Sequence, residues 1–410
     1  MKQKILVSML IAGGFLAPAA YATNGYFSHG YGIKSEGMGG VGIAFPQDSL
    51  AAATNPAGMV MVGNRMDLGL EWFKPSRSAQ ITGSPVPGAN GTYDANGKTN
   101  FFIPNFGYNR MISSDSSLGV SVYGNGGMNT TYTTANPLLG ASPAMMNLEQ
   151  LFVAPTFSMK VDDKNYFGIS LNLAYQRFKA QGLENFTAVS QTPTGVTNNG
   201  TDTSMGYGLH LGWIQQVTPN VSVGATYQTK TKMGKFNKYA GLFANQGSFD
   251  IPATYGAGIA VKVAPPTTVA FDVQRIMYND VPSIANPNPT GQLGSANGTG
   301  FGWQNMTVYK LGVNHDVNQN LTLRAGWDHN NVAIPQSQTY FNIIAPATVT
   351  DHLTLGGTWK LADKSEISFY YMHAFRKTIY GNGSLAGAGG GESNLTLSED
   401  SLGVSYGWNL

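Results

Sequence analysis

The chain has 410 residues, a formal charge of +2 and no cysteine, and it is 42% hydrophobic but only 11% charged. That balance excludes a disulfide framework and a thiolate metal site, offers no basic cluster for nucleic acid, and falls short of the ~25% charge usual for a soluble surface. No run of about 18 apolar residues occurs, so no helix is expected to span a bilayer; 52 glycines, 20 tyrosines and 20 phenylalanines instead suit a barrel with a lipid-facing band.

Residues 1–22 carry Lys2 and Lys4, an apolar run over 5–16 and an Ala20-Tyr21-Ala22 ending. These are the three parts of a cleaved secretory signal peptide. Residues 23–64 hold nine glycines in 42 positions. Glycine raises the entropic cost of regular structure, so neither a long helix nor a long strand is expected there. Only the run Ala51-Ala52-Ala53 suggests a short buried helix, ended by Asn55-Pro56 because proline disfavours the α region in the residue before it.

From Arg65 on, fourteen alternating segments read as strands: residues 65–74, 101–112, 117–126, 149–161, 166–179, 203–217, 221–231, 249–263, 267–278, 304–317, 321–330, 349–361, 365–377 and 394–408. Transmembrane strands need about 9–11 residues each. Short turns at 113–116, 162–165, 218–220, 264–266, 318–320 and 362–364 alternate with long connections at 75–100, 127–148, 180–202, 232–248, 279–303, 331–348 and 378–393. Such sorting belongs to outer-membrane barrels, with tight periplasmic turns and long outer loops. Within strands, Leu209, Leu211 and Trp213 oppose Gly208, His210 and Gly212, and Leu323, Ala325 and Trp327 oppose Arg324, Gly326 and Asp328. Period two sends the first set of each pair to lipid and the second to the lumen. The expected fold is all-β: a 14-stranded antiparallel transmembrane β-barrel (residues 65–410) with residues 23–64 as a hatch, or plug, inside the lumen.

Little in this chain reads as catalysis. Gly37-Met38-Gly39-Gly40-Val41-Gly42 matches G-x-G-x-x-G but lacks the strand, helix and acidic residue of a dinucleotide site. Six scattered histidines show no metal-site spacing, and no catalytic residue, cofactor or metal is expected. Fourteen strands enclose more space than side chains alone fill. An open porin would want a charged constriction, yet parity turns few charges inward: Glu71, Asp272, Lys310, Arg324 and Asp328. A plugged lumen fits better.

The plug pattern Gly37-Met38-Gly39-Gly40, Asp48 and Ala53-Thr54-Asn55-Pro56-Ala57-Gly58 resembles the outer-membrane long-chain fatty acid transporter family, which also includes toluene- and xylene-type hydrocarbon channels. The similarity returns in Ile251-Pro252-Ala253-Thr254-Tyr255, Trp303-Gln304-Asn305, Tyr309-Lys310-Leu311-Gly312, Leu323-Arg324-Ala325-Gly326 and Tyr370-Tyr371-Met372-His373. The resemblance implies an N-terminal hatch at Asn55, Pro56 and Ala57, an apolar pocket, and sideways exit at a kink in the third strand. The third strand ends Tyr123-Gly124-Asn125-Gly126-Gly127, and glycine there permits a bulge. Capture is expected of the loop residues Leu138, Leu139, Met145 and Met146, with Tyr239, Leu242 and Phe243. Inward Lys310 and Arg324 are the expected partners of a ligand carboxylate. The resemblance also suggests a basic residue near Arg177 or Lys179, although alternation points both outward. The expected protein is a monomer of the bacterial outer membrane, among its lipid and lipopolysaccharide. It takes up hydrophobic small molecules by diffusion, long-chain fatty acids first, with aromatic or alkane hydrocarbons, a general porin and a barrel-fold hydrolase as alternatives.

Overall fold

The computed structural model describes residues 23–410; the expected signal peptide lies outside them. Fourteen antiparallel strands build the wall: β1 (Arg65–Thr82), β2 (Phe101–Met111), β3 (Ser116–Ala135), β4 (Pro143–Lys160), β5 (Asn165–Gln181), β6 (Asp202–Thr218), β7 (Val221–Gln228), β8 (Thr254–Ala264), β9 (Thr267–Ile276), β10 (Met306–Asp316), β11 (Leu321–Asn330), β12 (Asp351–Lys360), β13 (Glu366–Ile379) and β14 (Glu392–Asn409). Each pairs with its neighbour in sequence, and β14 returns to β1 in unbroken register from Arg65↔Asn409 to Thr82↔Glu392. The barrel is closed. Lipid offers no partner for a bare strand edge, so closure is the arrangement that satisfies these amides. Two further short strands, Gly91–Asp94 and Lys232–Met233, are loop additions to β1 and β6.

Side-chain sorting follows the pleat. In β11, Leu323 and Trp327 are 45% and 43% exposed while Arg324 and Asp328 are 8% and 0% exposed. Apolar groups face out and polar groups face in, the reverse of a soluble sandwich. Several strands are taller than the lipid-facing pattern predicts. β1 continues past residue 74 to Thr82, β3 past 126 to Ala135, and β4 begins at Pro143 instead of 149. In the added part of β1 the pattern inverts: Arg77, Ala79 and Ile81 are buried inside, and Ser76, Ser78 and Gln80 lie outside. The period is kept, but the outward face is now dressed for water. The connection expected over 127–148 accordingly shrinks to 136–142.

Residues 23–64 contain nothing longer than one helical turn: α1 (Ile33–Glu36), 3-10 turns Ala51–Ala53 and Pro56–Gly58, and α2 (Met59–Val62). Asn55 is extended (φ −151°, ψ 109°) and caps the turn that begins at Pro56. Inward side chains from strands all round the wall touch this segment, and almost every residue of it is buried. Above it, toward the long loops, lies the main apolar cluster, which includes Tyr26, Phe27, Phe178, Phe249, Tyr278, Trp303 and Phe341.

Candidate functional site

An irregular segment cannot satisfy its own amides, so something else must. The inward polar residues of the barrel do. Asp272 Oδ2 accepts from Gly42 N and Ile43 N at 2.8 and 3.0 Å, and Thr354 Oγ1 from Gly39 N at 2.8 Å. Lys310 Nζ donates to His29 O at 2.7 Å, and Asn24 Nδ2 donates to Asp328 Oδ2 at 3.0 Å. Arg324 Nε donates to Gln47 Oε1 at 2.8 Å and its Nη1 to Thr358 Oγ1 at 2.7 Å. Near the chain's entry into β1, Glu366 pairs with both Lys34 and Arg65, and Arg65 Nη2 lies 2.7 Å from Asp67 Oδ1. Asn55 Nδ2 donates to Ile43 O at 2.7 Å and to Trp213 O at 3.1 Å, tying the segment to itself and to β6. Ser158 Oγ donates to Ala57 O at 3.0 Å.

Close approach makes these bonds possible. A Cβ on Gly212 would stand 1.9 Å from Asn55 Oδ1, one on Gly168 2.2 Å from Pro56 C, and one on Gly326 2.1 Å from Gly39 N. No side chain larger than hydrogen fits there. Burial changes the titration of the segment's own groups. It pushes the His29 imidazole down to about 3, with His352 adding to the effect. It lifts the Asp48 carboxyl to about 6, helped by the charge of Asp67.

The wall has an interruption. β2 and β3 pair only from Met111↔Ser117 to Phe106↔Val122, although β2 stays paired with β1 to Phe101 and β3 with β4 to Ala135. No ladder joins residues 101–105 to residues 123–130. Pro104, in the interrupted stretch, has no N–H to offer. Contact resumes at Thr131, whose N–H donates to Ala95 O at 3.2 Å and whose C=O accepts from Gly97 N at 2.9 Å. The β3–β4 register shifts between Gly124 and Gly126, a bulge at this same level. The N-terminal segment lines it from inside. Gly127 N donates to Tyr26 O at 2.9 Å, Ser28 N donates to Asn125 O at 3.3 Å, and a Cβ on Gly126 would stand 2.0 Å from Tyr26 O.

A file of aromatic rings leads to this interruption. It begins at a cleft of about 500 Å³ among the long loops, whose lining mixes apolar Phe186, Val189, Pro289, Leu293 and Tyr340 with polar Asn185, Asn288, Thr290, Gln292, Thr299 and Ser384. Phe186 meets Phe341 at 5.4 Å between ring centroids, Phe341 meets Phe301 at 5.1 Å, and Phe301 meets Trp303 at 6.1 Å. Trp303 then meets Tyr278 at 5.0 Å, and Tyr278 meets Phe27 at 6.1 Å. Phe27 forms a β-bridge with Gly126. The rings from Phe341 to Phe27 are buried and packed on one another in tilted and edge-on pairs, each pair worth about 0.5–1.5 kcal/mol beyond its area burial.

The expected site residues fall into four groups. Asn55, Pro56 and Ala57 meet the wall at β4, β5 and β6; Gly124 and Gly126 flank the bulge, and Gly127, next along β3, is paired with Glu149. Lys310 and Arg324, the expected partners of a ligand carboxylate, do face inward, and their donors are engaged by the N-terminal segment and the wall. The capture residues differ from expectation. Leu138, Leu139, Met146, Leu242 and Phe243 are buried in the main apolar cluster instead of standing on the loops. Met145 and Met146 belong to β4. Met145 joins Lys98, Asn147, Glu149, Arg177 and Lys179 in a cleft of about 440 Å³, with Arg177 3.3 Å from Glu149. Sequence reading did not single out Tyr26, Tyr278 and Phe341 as site residues and quoted Trp303 only for the family resemblance; the four come from the N-terminal segment and from separate stretches between the strands. Its one available signal was the aromatic content of the loops.

A family model described as "Outer membrane protein transport protein (OMPP1/FadL/TodX)" matches residues 19–408. Among solved structures, the toluene transporter TodX of Pseudomonas putida superposes with a TM-score of 0.72 at 19% identity, covering 93% of this chain and 99% of that one. A Pseudomonas aeruginosa FadL homologue gives 0.70 at 16% identity, over 94% and 99%. The Ralstonia pickettii toluene transporter TbuX gives 0.65 at 19% identity, over 93% and 99%. No curated protein sequence matches the chain.

Proposed function

The chain belongs to the OMPP1/FadL/TodX family of outer membrane transport proteins, and on that premise we propose that it passes hydrophobic small molecules from the loop cleft along the ring file and out sideways between β2 and β3. It is a transport protein of the bacterial outer membrane. In this reading residues 23–64 are a hatch that closes the axial route, and Gly124, Gly126 and Gly127 shape the side exit. The observation that carries the reading is the continuity of the file, from Phe186 at the cleft to Phe27 against Gly126.

Energetics favour the side route. A one-ring guest hides about 200 Å² of apolar surface, worth roughly 5 kcal/mol at ~25 cal/mol per Å². An exit into water returns that cost, a penalty of more than about a thousandfold in the exit equilibrium. An exit into lipid avoids it. No energy source is needed for a gradient-driven flow of this kind.

A neutral aromatic hydrocarbon is the leading substrate class. The rings suit it, and the cations expected to hold a carboxylate are engaged elsewhere. Long-chain fatty acids are the second reading, favoured by the aliphatic members of the same cluster, Met128, Leu138, Leu139, Ile343 and Ile344, which give room to an acyl chain. Proteoliposome uptake of labelled toluene and of a labelled long-chain fatty acid separates the two. Faster entry of toluene than in protein-free vesicles, with small sugars excluded, is the expected result. Size-graded entry of polar solutes would make the protein a general porin, and ester hydrolysis by the purified barrel would make it an enzyme; either contradicts the proposal. Mass spectrometry of co-purifying lipophiles identifies the native guest.

A further inference from the structure

The missing ladder between β2 and β3 is spanned by one side chain from a third strand. Arg77, on β1, reaches across from the inside: its Nη1 donates to Asn129 O and, at 3.1 Å, to Asn129 Oδ1, and its Nη2 donates to Lys98 O. Asn129 lies in β3, and Lys98 in the chain leading to β2. One guanidinium therefore bridges the two sides of the interruption with its planar fork, a geometry no other side chain offers. The ring of Phe101 lies under it, 6.0 Å from the guanidinium carbon and 4.8 Å from Lys98 Nζ.

Beside Arg77 is a carboxyl group with nothing to hold. Glu399 of β14 is 0% exposed, and neither of its oxygens has a hydrogen-bond partner among the described residues. Arg77 Nε is likewise buried without a partner. Arg77 faces Leu397 and Pro75 faces Glu399 in the β1–β14 register. Arg77 and Glu399 are thus diagonal neighbours on the inward face, ~7–8 Å apart at the backbone and within reach of long side chains. A buried carboxyl left without partners is costly and calls for an explanation; a second seat for the neighbouring guanidinium supplies one.

We propose that Arg77 is the latch of the side opening and Glu399 its alternate seat: with the guanidinium on Lys98 O and Asn129 O the opening is closed, and with it on Glu399 the opening is free. The proposal deepens the side-exit reading and rests on it for its purpose, but its test reads the opening itself. The guest displaces Arg77 toward Glu399, and the new charge-assisted pair offsets the loss of two carbonyl contacts. Release is a change of partner for one residue, with no strand unzipped.

The chain has no cysteine, so a single Ile103→Cys, inward on the interrupted part of β2, reports the opening through its reaction rate with a maleimide confined to the bilayer. In that background Arg77→Gln is expected to raise the labelling rate about tenfold. Arg77→Lys, a point donor unable to bridge both carbonyls, falls between Arg77→Gln and the parent. Glu399→Gln is expected to lower the rate severalfold, because the open arrangement loses its ionic pair. Heat-modifiable gel mobility of each variant checks that the barrel is closed, and Arg77→Lys carries the test if Arg77→Gln does not assemble. An unchanged rate in both Arg77 variants, or a Glu399→Gln rate as high as that of Arg77→Gln, overturns the latch. Labelling that shifts as stated while toluene uptake does not change leaves the latch standing and sinks the side-exit reading.

Discussion

Asn55 shows how much of this molecule is decided by single side chains. Its amide makes two bonds within the local chain, to Ile43 O and from Ala57 N, and two to the wall, at Trp213 O and Ala225 O. Asn55→Ala is expected to cost ~1–3 kcal/mol in the docking of residues 23–64 against the wall, because it leaves buried carbonyls unsatisfied. Faster hydrogen exchange over residues 23–64, with the strands unaffected, is the measurement. Gly212→Val acts on the same contact from the wall side. Its Cβ would meet Asn55 Oδ1 at 1.9 Å, so the segment must withdraw. His29 gives a pH dependence of known sign. Its folded-state pKa of about 3 lies below the ordinary 6.5, so the docked state binds fewer protons. Stability from His29 is full above pH 6.5 and is lost as pH falls toward 3. The groups that face it are His352, Tyr370, Asp328, Lys310 and the Glu36 carbonyl. Asp48, lifted from 3.8 to about 6, works in the opposite direction and weakens docking as pH rises through that range. The difference between wild type and His29→Gln isolates the histidine: exchange over 23–45 should lose its acid-side rise in the variant.

At the scale of elements, strand existence was legible and strand height was not. Alternation and the strict exchange of short turns with long loops are direct consequences of a wall between lipid and lumen, and both can be read from residues such as Leu323, Arg324 and Trp327. The upper part of β1 escaped because Arg77, Ala79 and Ile81 turn inward where the outer face meets water, which hides the signal that marks a membrane strand. Parity correctly turned Lys310 and Arg324 inward. Their partners were not legible, since a glycine-rich segment reveals little about which amide lands beside which side chain. The ring file was unreadable for a similar reason: Phe27, Phe186, Tyr278 and Trp303 meet only after the barrel closes. β3 carries the element-scale prediction. Gly126→Leu pushes into Tyr26 O and fills the bulge, so uptake should fall about tenfold or more, the effect of ~1.4 kcal/mol at the exit. Heat-modifiable mobility should be unchanged; loss of the folded band would mean that the glycine serves assembly instead.

The whole molecule combines a wall whose outer surface is set by lipid with an interior whose polar groups are committed to one folded-in segment. Asp272, Lys310, Arg324 and Asp328 would give an open pore its selectivity, yet here they serve backbone amides, carbonyls and side chains of residues 23–64. Deleting those residues is therefore expected to raise the barrel's conductance in planar bilayers sharply, and an unchanged conductance would contradict the proposal that they act as a hatch. The route taken by the guest is the central claim, and it is visible directly. Crystals soaked with a brominated toluene, examined by anomalous scattering, should show bromine along the file from Phe186 through Trp303 to Phe27 and again between residues 101–105 and 123–130. Bromine on the barrel axis beside Arg324 and Gln47, with none at the interruption, would contradict it.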